Sequence, residues 1–126
     1  MAICLTSALG LVLATLSGDA ITLAWRHSVE LVKWEEDYRV EGDHLHLVEA
    51  RIQGAGAGME VPEGARLYRG VWHYQPDLAQ LLAVTLTRSS HTFDYRICSG
   101  DGCVELATLA GPMTYEGETV TLSACP

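Results

Sequence analysis

This sequence predicts an all-β fold, a single-domain antiparallel β-sandwich or β-barrel over residues 1–126. Turn-forming residues recur along the chain, at Gly18-Asp19, Gly42-Asp43, Gly54 to Gly58, Pro62-Glu63-Gly64, Gly100-Asp101-Gly102, Gly111-Pro112 and Gly117. Between them apolar and polar residues alternate in short segments, the period of a strand with one buried face. No segment of helical length carries a 3.6-residue apolar period, although PDLAQLLA at 76–83 has room for one or two helical turns. With 126 residues and 48% hydrophobic composition, the chain can bury a modest core.

The first element is AICLTSALGLVLATLSG, residues 2–18, which carries no charged side chain. A secretory or anchoring segment would follow a basic stretch, and a full span needs about 20 apolar residues. Neither condition is met, and Thr6, Ser7, Gly10, Thr15 and Ser17 interrupt the run as strands and turns do. It is therefore expected to fold into the domain, with no direct membrane span. Eight Lys and Arg against sixteen Asp and Glu give a net charge of -8, which repels phosphate backbones and argues against nucleic acid as a partner.

The next segments can be paired by register. In ITLAWRHSV (21–29), Ile21, Leu23, Trp25, His27 and Val29 share one face, while Thr22, Arg26 and Ser28 share the other. From 34 to 40 the apolar face holds Trp34, Glu36, Tyr38 and Val40. A hairpin closing at Leu31-Val32 would pair Glu30 with Lys33, Arg26 with Asp37, Trp25 with Tyr38 and Leu23 with Val40, and would set His27 against Glu36. Leu-Val is a poor turn, so a wider loop in the same register serves equally. Gly42-Asp43 is a better two-residue loop, pairing Val40 with Leu45, Tyr38 with Leu47, Glu36 with Glu49 and Trp34 with Arg51.

His27, Glu36 and Glu49 are thereby expected in one transverse row on the inward face of three strands. Facing carboxylates repel, so the row calls for a shared proton, a protonated His27, nearby Arg51 or a bound cation. One functional reading is a mixed nitrogen and oxygen site for a divalent metal, with His27, Glu36 and Glu49 as ligands; another is an acid/base pair. The simpler reading is a satisfied His, Glu and Arg network that holds strand register. No HExxH, calcium loop or fourth ligand accompanies the row, no catalytic residue is assigned, and no cofactor follows from the sequence.

The remaining strands are read from HLHLVEARI, GVWHYQ, LLAVTLTRS, FDYRIC, CVELATL and TVTLSAC. The glycines of GAGAGM at 54–59 suit a bulge or tight bend rather than a phosphate loop, since no helix start and no Lys-Ser/Thr pair follows. There are four cysteines. Cys98 and Cys103 bracket SGDG, and a hairpin there would set them close enough to bridge, while Cys4 and Cys125 could join terminal strands. Two pairs of buried thiols are the alternative, the one a cytosolic protein would favour. The even count leans toward an oxidising compartment; the missing export signal leans slightly toward the cytoplasm.

His27-Ser28-Val29-Glu30 followed by Trp34-Glu35-Glu36-Asp37 brings a family into view. So do LVEARIQGAGAGME (47–60), the positions Gly70, Trp72, Tyr74, Pro76 and Asp77, the Cys98 and Cys103 pair, and the ACP terminus. In these residues the chain resembles the small bacterial proteins grouped as domain of unknown function 1850. The resemblance implies partners in tripartite TRAP-type transporters of the TAXI class, either the permease or the TAXI binding protein, and it brings no established reaction. The expected function is an accessory or interaction protein of organic-acid uptake, acting through the region of His27, Glu30, Glu36, Glu49 and Arg51. The alternative is a small-ligand or divalent-metal-binding β domain, with catalysis at the same row as a further option.

Overall fold

The computed structural model describes residues 2–26, 32–53, 63–76 and 80–126. Its first strands are β1 (Ala2–Ser7), β2 (Val12–Ser17), β3 (Ala20–Arg26), β4 (Lys33–Glu41), β5 (His44–Gln53) and β6 (Arg66–Tyr68). They are followed by β7 (Val71–Tyr74), β8 (Gln80–Leu81), β9 (Val84–Thr87), β10 (Arg96–Ser99), β11 (Gly102–Glu105), the helix α1 (Leu106–Ala110) and β12 (Thr119–Ala124). The smaller sheet runs β2-β1-β12-β9; the larger runs β11-β10-β3-β4-β5-β7-β6, with β8 beside β5. Every pairing is antiparallel.

The two sheets pack face to face as an all-β sandwich. Ile3, Leu5, Leu16, Leu86, Val120 and Leu122 of the smaller sheet meet Ile21, Leu23, Tyr38, Val40, Leu45, Leu47 and Ile97 of the larger one in a single core cluster. Each fully buried aliphatic side chain there contributes roughly 2 kcal/mol by leaving water. The uncharged N-terminal run supplies β1 and β2, and β1 lies between β2 and the C-terminal strand β12. All four cysteines are paired, as Cys4–Cys125 and Cys98–Cys103, with sequence separations of 121 and 5. In the chain-entropy view, the long loop is worth about 5 kcal/mol against unfolding and the short one about 2 kcal/mol.

Two local expectations are corrected. CVELATL is strand only through Glu105; from Leu106 it is helical. Leu106 is fully buried and Leu109 and Ala110 pack on the core, an i, i+3, i+4 stripe rather than alternation. Asp94 accepts the Ala107 N–H at 2.7 Å, and Gly111, at φ 77°, donates its N–H to the Ala107 carbonyl, so each end of this short helix has a partner. In 76–83, which has room for one or two helical turns, the described residues Gln80 and Leu81 are instead strand β8, paired with His46 and Leu45. Residues 77–79 and the glycine-rich 54–59 lie outside the described residues.

Arg88 is the one buried charged residue among those described; it donates to Glu118 at 3.0 Å and to the Gly111 carbonyl at 2.9 Å. It thereby ties the segment after α1 to the end of β9.

Candidate functional site

The site grows from the alternation of β4 and β5. Even residues of β4 face the core, and its odd residues Lys33, Glu35, Asp37 and Arg39 face outward. The Gly42-Asp43 turn joins Glu41 to His44, with Gly42 at φ 63°, a conformation glycine adopts without strain. Val40 pairs with Leu45 and Tyr38 with Leu47, all buried, as the sequence leads one to expect. The next pair, however, is Asp37 with Glu49. Val48 is an extra residue on β5, a β-bulge, and its carbonyl accepts a hydrogen bond from the Gln75 side chain at 3.1 Å. Beyond it the inward positions of β5 become Ala50 and Ile52, and the outward ones Glu49 and Arg51.

This single residue dismantles the expected row. Glu36 pairs with Ala50 and Trp34 with Ile52, rather than with Glu49 and Arg51. The β3–β4 register differs as well: Arg26 pairs with Lys33, Trp25 with Trp34 and Leu23 with Glu36, rather than with Asp37, Tyr38 and Val40. Glu36 and Glu49 therefore project from opposite faces of the sheet and do not converge on one point. His27 and Glu30 themselves lie outside the described residues.

What the outer face assembles is a network around Arg51. Its guanidinium donates to both carboxylate oxygens of Asp37, at 2.6 and 2.7 Å, and to Glu49 Oε1 at 3.1 Å, with Glu35 at 3.6 Å. Thr22 on β3 donates to Asp37 at 2.7 Å, and His73 on β7 lies 2.8 Å from Glu49 through Nδ1. One row of side chains thus links four adjacent strands, β3, β4, β5 and β7. The Arg51 side chain is 18% exposed, Asp37 33%, Glu49 37% and His73 32%, so solvent reaches the rim of the network while its cation is largely covered.

The protonation states follow from these contacts. The Arg51 hydrogen bonds hold the Asp37 carboxyl below its ordinary range against the opposing effect of burial, with Thr22 helping. His73 and then Arg51 hold Glu49 down in the same way. An ionised Glu49 only accepts, so the His73 nitrogen facing it carries the proton. Arg51 is pushed further up by Asp37 and Glu49 and is permanently charged. Among the described residues no three His, Cys, Asp or Glu side chains converge as a metal site; the cation at the centre of these carboxylates is Arg51.

Glu36 belongs to a different environment. Burial pushes its carboxyl up, partly offset by the Tyr38 hydroxyl, which donates to it at 2.9 Å. Burial and then the Glu36 charge raise Tyr38 and Tyr74 in turn. Trp25 and Trp34 stack at 6.1 Å beside this group, and Tyr95 tilts against Trp25 at 6.1 Å. Of the residues singled out in the sequence, the structure brings together Glu49 and Arg51, and it separates Glu36 from them. Asp37, Thr22 and His73 complete the network although the sequence pattern does not mark them: its register sets Asp37 against Arg26, and His73 is reached only through the nonlocal pairing of β5 with β7. Beside Asp37 and Thr22 the outer face has a shallow depression of about 500 Å³, bounded also by Val48, Arg39 and Cys98.

A family model described as Domain of unknown function (DUF1850) matches residues 21–106. The chain belongs to this family. The match covers β3 from Ile21 through β11, hence all of the larger sheet but Ala20 and every member of the Arg51 network, together with β9 of the smaller sheet. Strands β1, β2 and β12, and with them the ACP terminus, lie outside it. No match to the chain was found among curated proteins or solved structures.

Proposed function

We propose that this DUF1850 protein is an interaction domain rather than an enzyme, and that it presents the outer face of its larger sheet to a protein partner. The observation that carries the reading is the half-exposed network of Asp37, Glu49, Arg51 and His73. A sheet needs no such cluster to pack, and this one sits beside an open depression and wholly within the family-matched residues. A rigid, preordered charged surface suits partner choice, because complementary charges steer association and reject wrong partners. The resemblance to bacterial proteins that accompany TAXI-type TRAP transporters makes the TAXI binding protein or the permease the partner of choice. The pairing of all four cysteines supports an oxidising compartment. No helix among the described residues is long and apolar enough to cross a membrane.

The test is capture of the two transporter components by the immobilised, disulfide-intact chain. Recovery of either one by the wild type, with loss in an Asp37→Asn, His73→Ala double variant, is the expected result. Recovery of neither component, or equal recovery by the variant, removes the reading.

A further inference from the structure

The same outer face carries a second feature at the far end of β3. Arg26 stands directly opposite Lys33, and one row away Arg96 on β10 stands opposite Ala24. Ala24 and Arg26 are two residues apart on one strand, as are Lys33 and Glu35 on the next, so all three cations project from the outer face. With strands about 4.8 Å apart and roughly 6.7 Å between alternate residues, the three Cα atoms fall within about 12 Å, and their long side chains can reach one point. Beneath them is a groove of about 410 Å³ whose floor is the small, buried Ala24 and whose wall includes Phe93, 61% exposed.

The charge balance of this groove runs against that of the molecule. The chain has a net charge of -8 and only eight Lys and Arg, of which Arg26, Lys33 and Arg96 line this one groove. Its two acids, Asp94 and Glu105, are fewer than its three cations, and Asp94 also lies 4.0 Å from the buried guanidinium of Arg88. Glu105 is the strand partner of Arg96, yet Arg96 joins no ion pair among the described residues. Lys33 has a 3.9 Å contact with Glu35 and stays 41% exposed, while Arg26 has an interaction of its own and adds a nearby positive charge.

We propose that this groove binds a small organic anion, with its carboxylate or equivalent oxyanion held by Arg96 and Lys33 and its apolar body lying against Phe93. A guanidinium fork matches a planar oxyanion with two parallel N–H donors, and the ammonium adds a point charge. The volume lies within the roughly 300–1,000 Å³ of small-molecule sites. A bare inorganic ion would leave Phe93 unused. The assignment rests on the groove and not on the partner reading, so each can fail alone.

The probes are benzoate, succinate and inorganic phosphate, titrated into the full disulfide-bonded chain and followed by amide chemical shifts. Benzoate is expected to saturate, with shifts centred on Ala24, Phe93 and Arg96, and to bind about tenfold more tightly than phosphate, a difference of about 1.4 kcal/mol. Arg96→Gln and Lys33→Gln should each weaken benzoate about tenfold. Arg96→Lys, which keeps the charge and loses the fork, should fall between Arg96→Gln and wild type. Phe93→Ala should weaken benzoate and leave phosphate unchanged, and Thr85→Ala on the smaller sheet should change neither. No saturation by benzoate or succinate below about 10 mM, a limit near 3 kcal/mol of binding, would overturn the proposal. So would equal binding of phosphate and benzoate, or unaltered benzoate affinity in Arg96→Gln.

Discussion

Glu36 and Glu49 are carboxylates on adjacent strands, and they live in opposite worlds. Glu36 lies under the sheet, opposite Ala50, where burial favours its neutral form. Glu49 lies on top, opposite Asp37, where His73 and Arg51 favour its charged form. Both strands supply Glu side chains to a mixed apolar and polar pattern, so composition does not distinguish them. The difference comes from Val48, whose presence as one unpaired residue reverses the faces of everything after it on β5. A charge network can thus be relocated from the core to the surface by a backbone irregularity that leaves side-chain chemistry untouched.

The largest effect that would break this contrast comes from deleting Ala50. With the bulge still in place, the deletion turns Arg51 into the core and Ile52, now 1% exposed, out to solvent. Burying an unpaired charge is among the few changes that cost more than about 4 kcal/mol, so loss of a cooperative urea transition is expected. Replacing Arg51 with Met comes next. It strips Asp37 and Glu49 of their main donor, and because the network is partly solvated the expected loss is about 2 kcal/mol in the same assay. Deleting Val48 should cost less, about 1 kcal/mol, since the ladder then closes as a regular one with Glu49 still facing Asp37. If Val48 deletion proves as damaging as Ala50 deletion, the bulge is misplaced.

The smallest effect sharpens the contrast through pH. Glu36 has a raised carboxyl, so its contribution to stability is present below the ordinary glutamate range and is lost as pH rises through its folded value. Asp37 and Glu49 are depressed, so their contribution is present at neutral pH and is lost as pH falls through their folded values. Glu36→Gln should therefore leave stability at pH 7 unchanged or higher by under about 1 kcal/mol, and should remove part of the decline above the glutamate range. Combined with Glu49→Gln it should be additive within about 0.5 kcal/mol, as for sites that share no partner. Non-additivity well beyond that would put both carboxylates back into one cluster.

Much of the larger sheet is legible in the residues themselves. The Gly42-Asp43 turn and the apolar alternation on either side of it lead directly to the Val40–Leu45 and Tyr38–Leu47 pairs. The bulge is less visible, but it has a signature: Leu45 and Leu47 are apolar at odd positions, Ala50 and Ile52 at even ones, and only an extra residue reconciles the two. The β3–β4 register misleads because oppositely charged and aromatic pairs can be found in more than one alignment, and Leu31-Val32 is too weak a turn sequence to choose between them. His73 is out of reach for another reason. Its partner Glu49 is 24 positions away, across a segment with several turn signals and no single hairpin loop to set the register. The helical turn at Leu106 hides inside a segment too short to separate the two periods, although the following Gly111-Pro112 is a helix stop.

The opposed states of Glu36 and Glu49 can be read directly by carboxyl carbon NMR titration of the wild-type chain and of Arg51→Gln. The expected outcome is a Glu36 midpoint above the usual glutamate range that Arg51→Gln does not move, and a Glu49 midpoint below it that rises when Arg51 is replaced. Midpoints on the same side of that range, or a joint response of both residues to Arg51→Gln, would contradict the placement of the two side chains on opposite faces of the sheet.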